Sequence, residues 1–110
     1  MLARAYDDDH LEVAIARTSL AAVLHQRGHM TEAEREYRAG LATRQRHSGP
    51  NHPELAVTLI NLATILHQRG AANEAERLCH RALHNLQGSV RDEHPSRRAC
   101  EHLLTGLSAA

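Results

Sequence analysis

Apolar residues recur along this chain at the three- and four-residue spacing of helices, not at the alternation of strands. Leu55, Ala56, Leu59, Leu62, Ala63 and Leu66 form one stripe. Val57, Ile60 and Ile65 widen it around most of the cylinder, which predicts a helix covered on several sides. Ala75, Leu78, Cys79, Ala82, Leu83 and Leu86 instead make a single face, opposite Glu74, Arg77, His80, Arg81 and His84. That is the pattern of an outer helix. Glycines punctuate these segments: Gly28 and Gly70 are placed to close helices in the left-handed conformation. Helices are therefore expected from near Leu11 to Gly28 and from near Pro53 to Gly70. Each is followed by a second helix, opening at Thr31-Glu32-Ala33-Glu34 and at Asn73-Glu74-Ala75-Glu76 and running to about His47 and Leu86. Thr31 and Glu34 have the spacing of a capping box. A fifth helix is expected from Pro95 to Leu107.

The segments are copies of one another. Leu24-His25-Gln26-Arg27-Gly28 returns unchanged as Leu66-His67-Gln68-Arg69-Gly70, an offset of 42 residues. Glu32-Ala33-Glu34-Arg35 returns as Glu74-Ala75-Glu76-Arg77, and His10, His52 and His94 keep the same interval. Counted from His10 against His52, sixteen of thirty-six aligned positions are identical, too many for chance. A fixed period of this length marks stacked helix hairpins. Small residues at Ala21, Ala33, Ala63, Ala75, Ala82 and Gly40 allow the paired helices to approach closely.

Composition narrows the functional classes. The 110 residues suffice for one modest domain, taken as 1–110 with repeats at about 10–51 and 52–93 and a capping helix at about 95–107. Tyr6 and Tyr37 are the only aromatics, so the core must be aliphatic. Thirteen arginines balance thirteen acidic residues and lysine is absent, a usage suggestive of a GC-rich bacterial genome. With no net charge, and with Arg69, Arg77, Arg81, Arg97 and Arg98 lacking interleaved aromatics, no nucleic-acid partner is expected. No run of eighteen apolar residues or leader-like segment occurs, so a cytoplasmic protein without a membrane partner is expected.

Candidate chemistry is sparse. His80 and His84 share a helix face but no third ligand is placed with them, so neither a metal nor any cofactor is expected. Cys79 and Cys100 belong to no CxxC pair and read as small buried hydrophobes. No phosphate loop, GxSxG elbow or HExxH is present, and the chain is not expected to be an enzyme. Glu32, Glu34, Glu36, Arg35 and Arg38 read as a salt-bridged, solvated face. His10, His52 and His94 are expected to shape the loop before each hairpin.

Leu59-Ile60-Asn61-Leu62-Ala63 with Leu66, Gly70, Glu74-Ala75-Glu76, Leu78-Cys79 and Arg81-Ala82-Leu83 resembles a tetratricopeptide repeat, in the 42-residue form similar to that of kinesin light chains and many bacterial repeat proteins. The resemblance covers about residues 10–104. It implies an all-α α-solenoid: two antiparallel helix hairpins and a capping helix in a right-handed superhelix, whose first helices line a concave groove for peptides or partner proteins. By register that groove would carry Ile15, Thr18, Ser19, Ala22, His25 and Gln26 from the first repeat, and Val57, Ile60, Asn61, Thr64, His67 and Gln68 from the second. Asn61 stands where family members often bind a peptide backbone, an amide being able to donate and accept at once. It reads equally as an amide tied to a neighbouring helix. Ser19 and Leu103 replace it in the other copies, and without lysine a clamp for a peptide carboxylate is not expected. His25 and His67 are solvated residues near helix ends or a pH-sensitive pair.

The two ends of the array differ. Ala99, Cys100, Leu103, Leu104 and Leu107 make one narrow stripe on an otherwise polar helix, the composition of a solvating cap. The first helix carries Leu11, Val13, Ala14, Ile15, Leu20, Ala21, Val23 and Leu24 with little before it to cover them, and Leu2-Ala3-Arg4-Ala5-Tyr6 resembles the tail of a preceding repeat. Two expectations follow: a C-terminal piece of a longer repeat protein, or a homo-oligomer formed through the first helix with Tyr6, Leu11, Val13 and Arg17 at the edge.

Overall fold

In a computed structural model, which describes residues 11–50, 52–87 and 95–109, the chain is built of helices. They are α1 (Leu11–Gln26), α2 (Met30–Ser48), α3 (Leu55–Gln68), α4 (Ala72–Leu86) and α5 (Pro95–Ala109), with no strand among the described residues. Two compact units result, residues 1–50 holding the α1–α2 hairpin and residues 51–110 holding α3, α4 and α5. Within the second, α5 packs on both α4 and α3.

Each hairpin turns on a glycine. Gly28 and Gly70 have φ of +84° and +88°, a conformation that costs an L-residue with a Cβ roughly 1–2 kcal/mol. In the first turn the His29 N–H donates to the Leu24 carbonyl at 2.9 Å and the Gly28 N–H to the His25 carbonyl at 3.0 Å. Ala71 to Leu66 at 2.8 Å and Gly70 to His67 at 3.1 Å repeat the pair in the second. These are the two bonds of a Schellman ending, which satisfies carbonyls otherwise left open at a helix C-terminus.

That ending overturns the expected capping box. The residue after each glycine also precedes the next helix, so His29 and Ala71 occupy the cap positions, with no side-chain cap bond at either. Thr31 and Asn73 are already inside the first turn. The α3 start is likewise later than Pro53. His52, Pro53 and Glu54 form a turn in which the Leu55 N–H reaches the His52 carbonyl at 3.1 Å, and the Glu54 N–H donates to His52 Nδ1 at 3.1 Å. His52 thus shapes the loop as expected; His10 and His94 lie outside the described residues.

Contact between paired helices rests on small residues. Ala14, Ala21, Ala33, Ala63, Ala75 and Ala82 are all fully buried. Gly40 is the tightest point: a Cβ there would lie 2.6 Å from Thr18 Cγ2 and 3.1 Å from the Ala14 carbonyl oxygen. The helix expected to be covered on several sides is so over most of its girth: Leu55, Ala56, Thr58, Leu59, Ile60, Leu62, Ala63, Ile65 and Leu66 of α3 are buried, but Val57, expected to widen the same stripe, is exposed. On α4 the single face holds, with Ala75, Cys79, Ala82 and Leu86 buried. Asn85 joins them, donating from Nδ2 to the His52 carbonyl at 3.2 Å and so tying the loop before α3 to the end of α4. On α5, Cys100 is buried and Leu103 and Leu104 are half-buried, but Ala99, expected in the same stripe, is exposed.

Candidate interaction surfaces

Residues four, three and four apart share a helix face, and on α1 this series runs Ile15, Ser19, Ala22, Gln26. Ile15, Ser19 and Gln26 are exposed and Ala22 is half-buried. On α3 the corresponding series is Val57, Asn61, Thr64, Gln68: Val57 and Gln68 are exposed, Asn61 and Thr64 half-buried. Ile15 and Val57 occupy one register position and keep 45% and 54% of their surface in water, so both hairpins present an uncovered aliphatic residue at the same place.

The remaining expected groove residues divide. His25, His67 and Thr18 are half-buried, and the Thr18 hydroxyl donates to the Ile15 carbonyl at 3.0 Å. The Thr64 hydroxyl likewise turns back onto its own helix, donating to the Ile60 carbonyl at 2.9 Å. Ile60 does not belong to the open stripe: it is buried, because α3 needs that position for its core. For Asn61, no hydrogen-bonding partner is found among the described residues, so the reading in which a neighbouring helix ties its amide finds no support there.

A second surface lies on another side of α1. Glu12, Val13, Ala16, Arg17, Leu20 and Glu36 line an open groove of about 520 Å³. Its floor is aliphatic and its wall is an ion pair, Arg17 Nη1 to Glu36 Oε1 at 3.0 Å. Glu36 therefore turns to α1 and leaves the solvated face expected of α2, while Glu34, also half-buried, pairs with exposed Arg38 at 3.0 Å. Of the expected self-association edge, Leu11 is exposed, Val13 and Arg17 line the groove, and Tyr6 lies outside the described residues. Leu20 and Val23, which the edge did not include, are exposed large aliphatics on the same helix.

Among the described residues no three His, Cys, Asp or Glu side chains are grouped to hold a metal ion. His80 pairs with Glu76 at 3.8 Å on the outer face of α4. No helix among the described residues is long and apolar enough to cross a membrane.

Paired helices closed by glycine turns, packed through alanines and open along their first helices, define a helical-repeat protein. The family follows from the sequence match: a tetratricopeptide-repeat model covers residues 12–87, and the chain belongs to that family. Its repeats generally mediate protein–protein interaction and typically serve as non-enzymatic scaffolds. No curated protein matches the chain significantly in sequence.

Proposed function

We propose that this protein is an interaction module that takes up an extended segment of a partner protein along the open stripes of its first helices. The observation that carries the reading is the Asn61 amide: half-buried on α3, without a partner among the described residues, and flanked on one face by exposed Val57 and by Gln68. A carboxamide in such a place can bond a peptide N–H and C=O together, while Val57 supplies apolar contact. The stripe on α1, with Ile15, Ser19, Ala22, His25 and Gln26, is its counterpart, and a concave groove is the proposed way the two are used together. The small, uncharged character of both stripes suits a segment held mainly by its backbone.

Peptides selected from a random display library on the full chain test this. Their amide chemical-shift footprint should fall on Val57, Asn61, Thr64, His67 and Gln68, and Asn61→Ala and Val57→Asp should weaken binding at least tenfold without lowering the melting temperature. A footprint elsewhere, or binding indifferent to both substitutions, removes the proposal.

A second reading, self-association through α1, is favoured by one contrast. Leu20 is 49% exposed, whereas Leu62, the same residue at the same register position, is 1% exposed. Burying a leucine of this kind is worth roughly 1.5–3 kcal/mol, so a second copy seated on the Val13–Ala16–Leu20 groove would gain from covering it. Sedimentation at rising concentration should then show a dimer that Leu20→Glu abolishes; a monomer at every concentration discards this reading and leaves the first untouched.

A further inference from the structure

Cys79 and Cys100 stand on different helices, α4 and α5, and neither exposes any surface. Cys100 Sγ lies 2.9 Å from the Cys79 carbonyl oxygen. It also makes a hydrogen-bonding contact with the Cys79 side chain, so it sits against the turn of α4 that begins at Cys79. Two thiols in such contact are a short displacement from the roughly 2.05 Å of a disulfide bond. Both are free thiols here.

The pair is chemically unequal. The hydrogen-bonding contact with Cys100 holds the Cys79 thiol below its ordinary pKa, against the opposing effects of burial and the Glu76 carboxylate. Cys100 is pushed well above the ordinary range, first by its hydrogen-bonding contact with Cys79, then by burial and by the negative charges of Cys79 and Glu101. Thiolate is the nucleophilic form of cysteine, so Cys79 is the attacking sulfur and Cys100 the resolving one.

We propose that Cys79 and Cys100 are an oxidation site for a hydroperoxide, which converts them to a disulfide that closes α5 onto α4. The Cys79 sulfur attacks one peroxide oxygen. An S–O bond forms, the O–O bond breaks, and the second oxygen leaves as water after taking up a proton. The Cys100 sulfur then attacks Cys79, forming the S–S bond and breaking S–O, and the hydroxyl departs as water with the Cys100 proton. Two thiols lose two electrons and one hydrogen peroxide becomes two waters. Access is governed by α5: a single helix docked on one hairpin opens at lower free energy than the whole fold unfolds. Oxidation therefore proceeds at the rate of that opening and locks the helix once it recloses.

The test treats the native full chain with hydrogen peroxide. Expected are an intact mass lower by two hydrogens, a Cys79–Cys100 cross-linked peptide on digestion, and loss of both thiols to a thiol reagent. The melting temperature should rise by about 10 °C, as closing a loop of this length predicts, and return with dithiothreitol. Cys100→Ser should instead leave a Cys79 sulfenic acid trapped by dimedone, with no rise. Two titratable thiols surviving treatment, oxidation to sulfinic acid without an S–S bond, or bonds only between chains would each overturn the proposal. The peptide mapping uses the unsubstituted chain and holds whether or not the variant folds.

Discussion

α1 and α3 are copies of one helix, yet they are used differently. Only Ala14 and Ala21 of α1 are buried, against nine residues of α3. The positions they share are the alanines that face the second helix of the hairpin, Leu20 with its copy Leu62, and the Leu-His-Gln-Arg-Gly ending. The positions at which they differ decide what the rest of the cylinder faces: Arg17 and Thr18 in α1 stand where α3 has Leu59 and Ile60. Identity within a repeat thus encodes the hairpin and divergence what lies against it, with Leu20, identical to Leu62 yet uncovered, as the exception.

The sharpest way to break this comparison is to make one substitution at both copies of a position. Leu62→Ala should cost about 3 kcal/mol of unfolding free energy by leaving a cavity in a packed core. Leu20→Ala should cost less than about 1 kcal/mol, as surface changes do. Urea denaturation at low protein concentration separates the two, and equal losses would mean that α1 is covered in solution.

Next in size is the closest helix contact. Gly40→Ala should lose about 1–2 kcal/mol, overpacking against Thr18 outweighing the gain in helix propensity. Thr18→Ser, which removes the obstructing Cγ2, should recover most of it; no recovery would place the obstruction at the Ala14 carbonyl. At the turns, Gly28→Ala and Gly70→Ala should each cost about 1 kcal/mol, equally, because both glycines carry the same positive φ. A large inequality between them in thermal melts would show that the turns are not equivalent.

The smallest effect belongs to the Arg17–Glu36 pair. Both side chains are partly in water, so a double-mutant cycle should give a coupling under about 1 kcal/mol. Their register counterparts are Leu59 and Leu78. Replacing the ion pair by two leucines should therefore leave the hairpin at least as stable, and a marked destabilisation would make the pair a structural requirement.

Much of the fold was legible because it depends on residues that act locally. Gly28 and Gly70 announced the turns, the alanine series announced the close contacts, and the apolar girth of α3 announced its burial. The capping box at Thr31 misled because a competing ending, set by the glycine three residues earlier, had already used the preceding position. Contacts over long separations left no periodic trace. Asn85 lay off the apolar face of α4 yet is buried on the His52 carbonyl, and Glu36 looked like one more solvated acid. Cys79 and Cys100 read singly as apolar filler, since only the docking of α5 brings them together. At the stripes, the register placed Val57 and Asn61 at the surface, but it also offered Ile60, which the core of α3 claims.

The turn Arg27-Gly28-His29 leaves no slack, and this constrains how such a chain can change length. Successive residues of a helix are about 100° apart around its axis, so one residue inserted at that turn would swing Ala33 and Tyr37 out of phase with α1 and break the hairpin. An insertion near Ser48 shifts no helix against its own partner. Lengthening or shortening of the repeat is therefore confined to the joints between hairpins, and each hairpin must be gained, lost or copied whole.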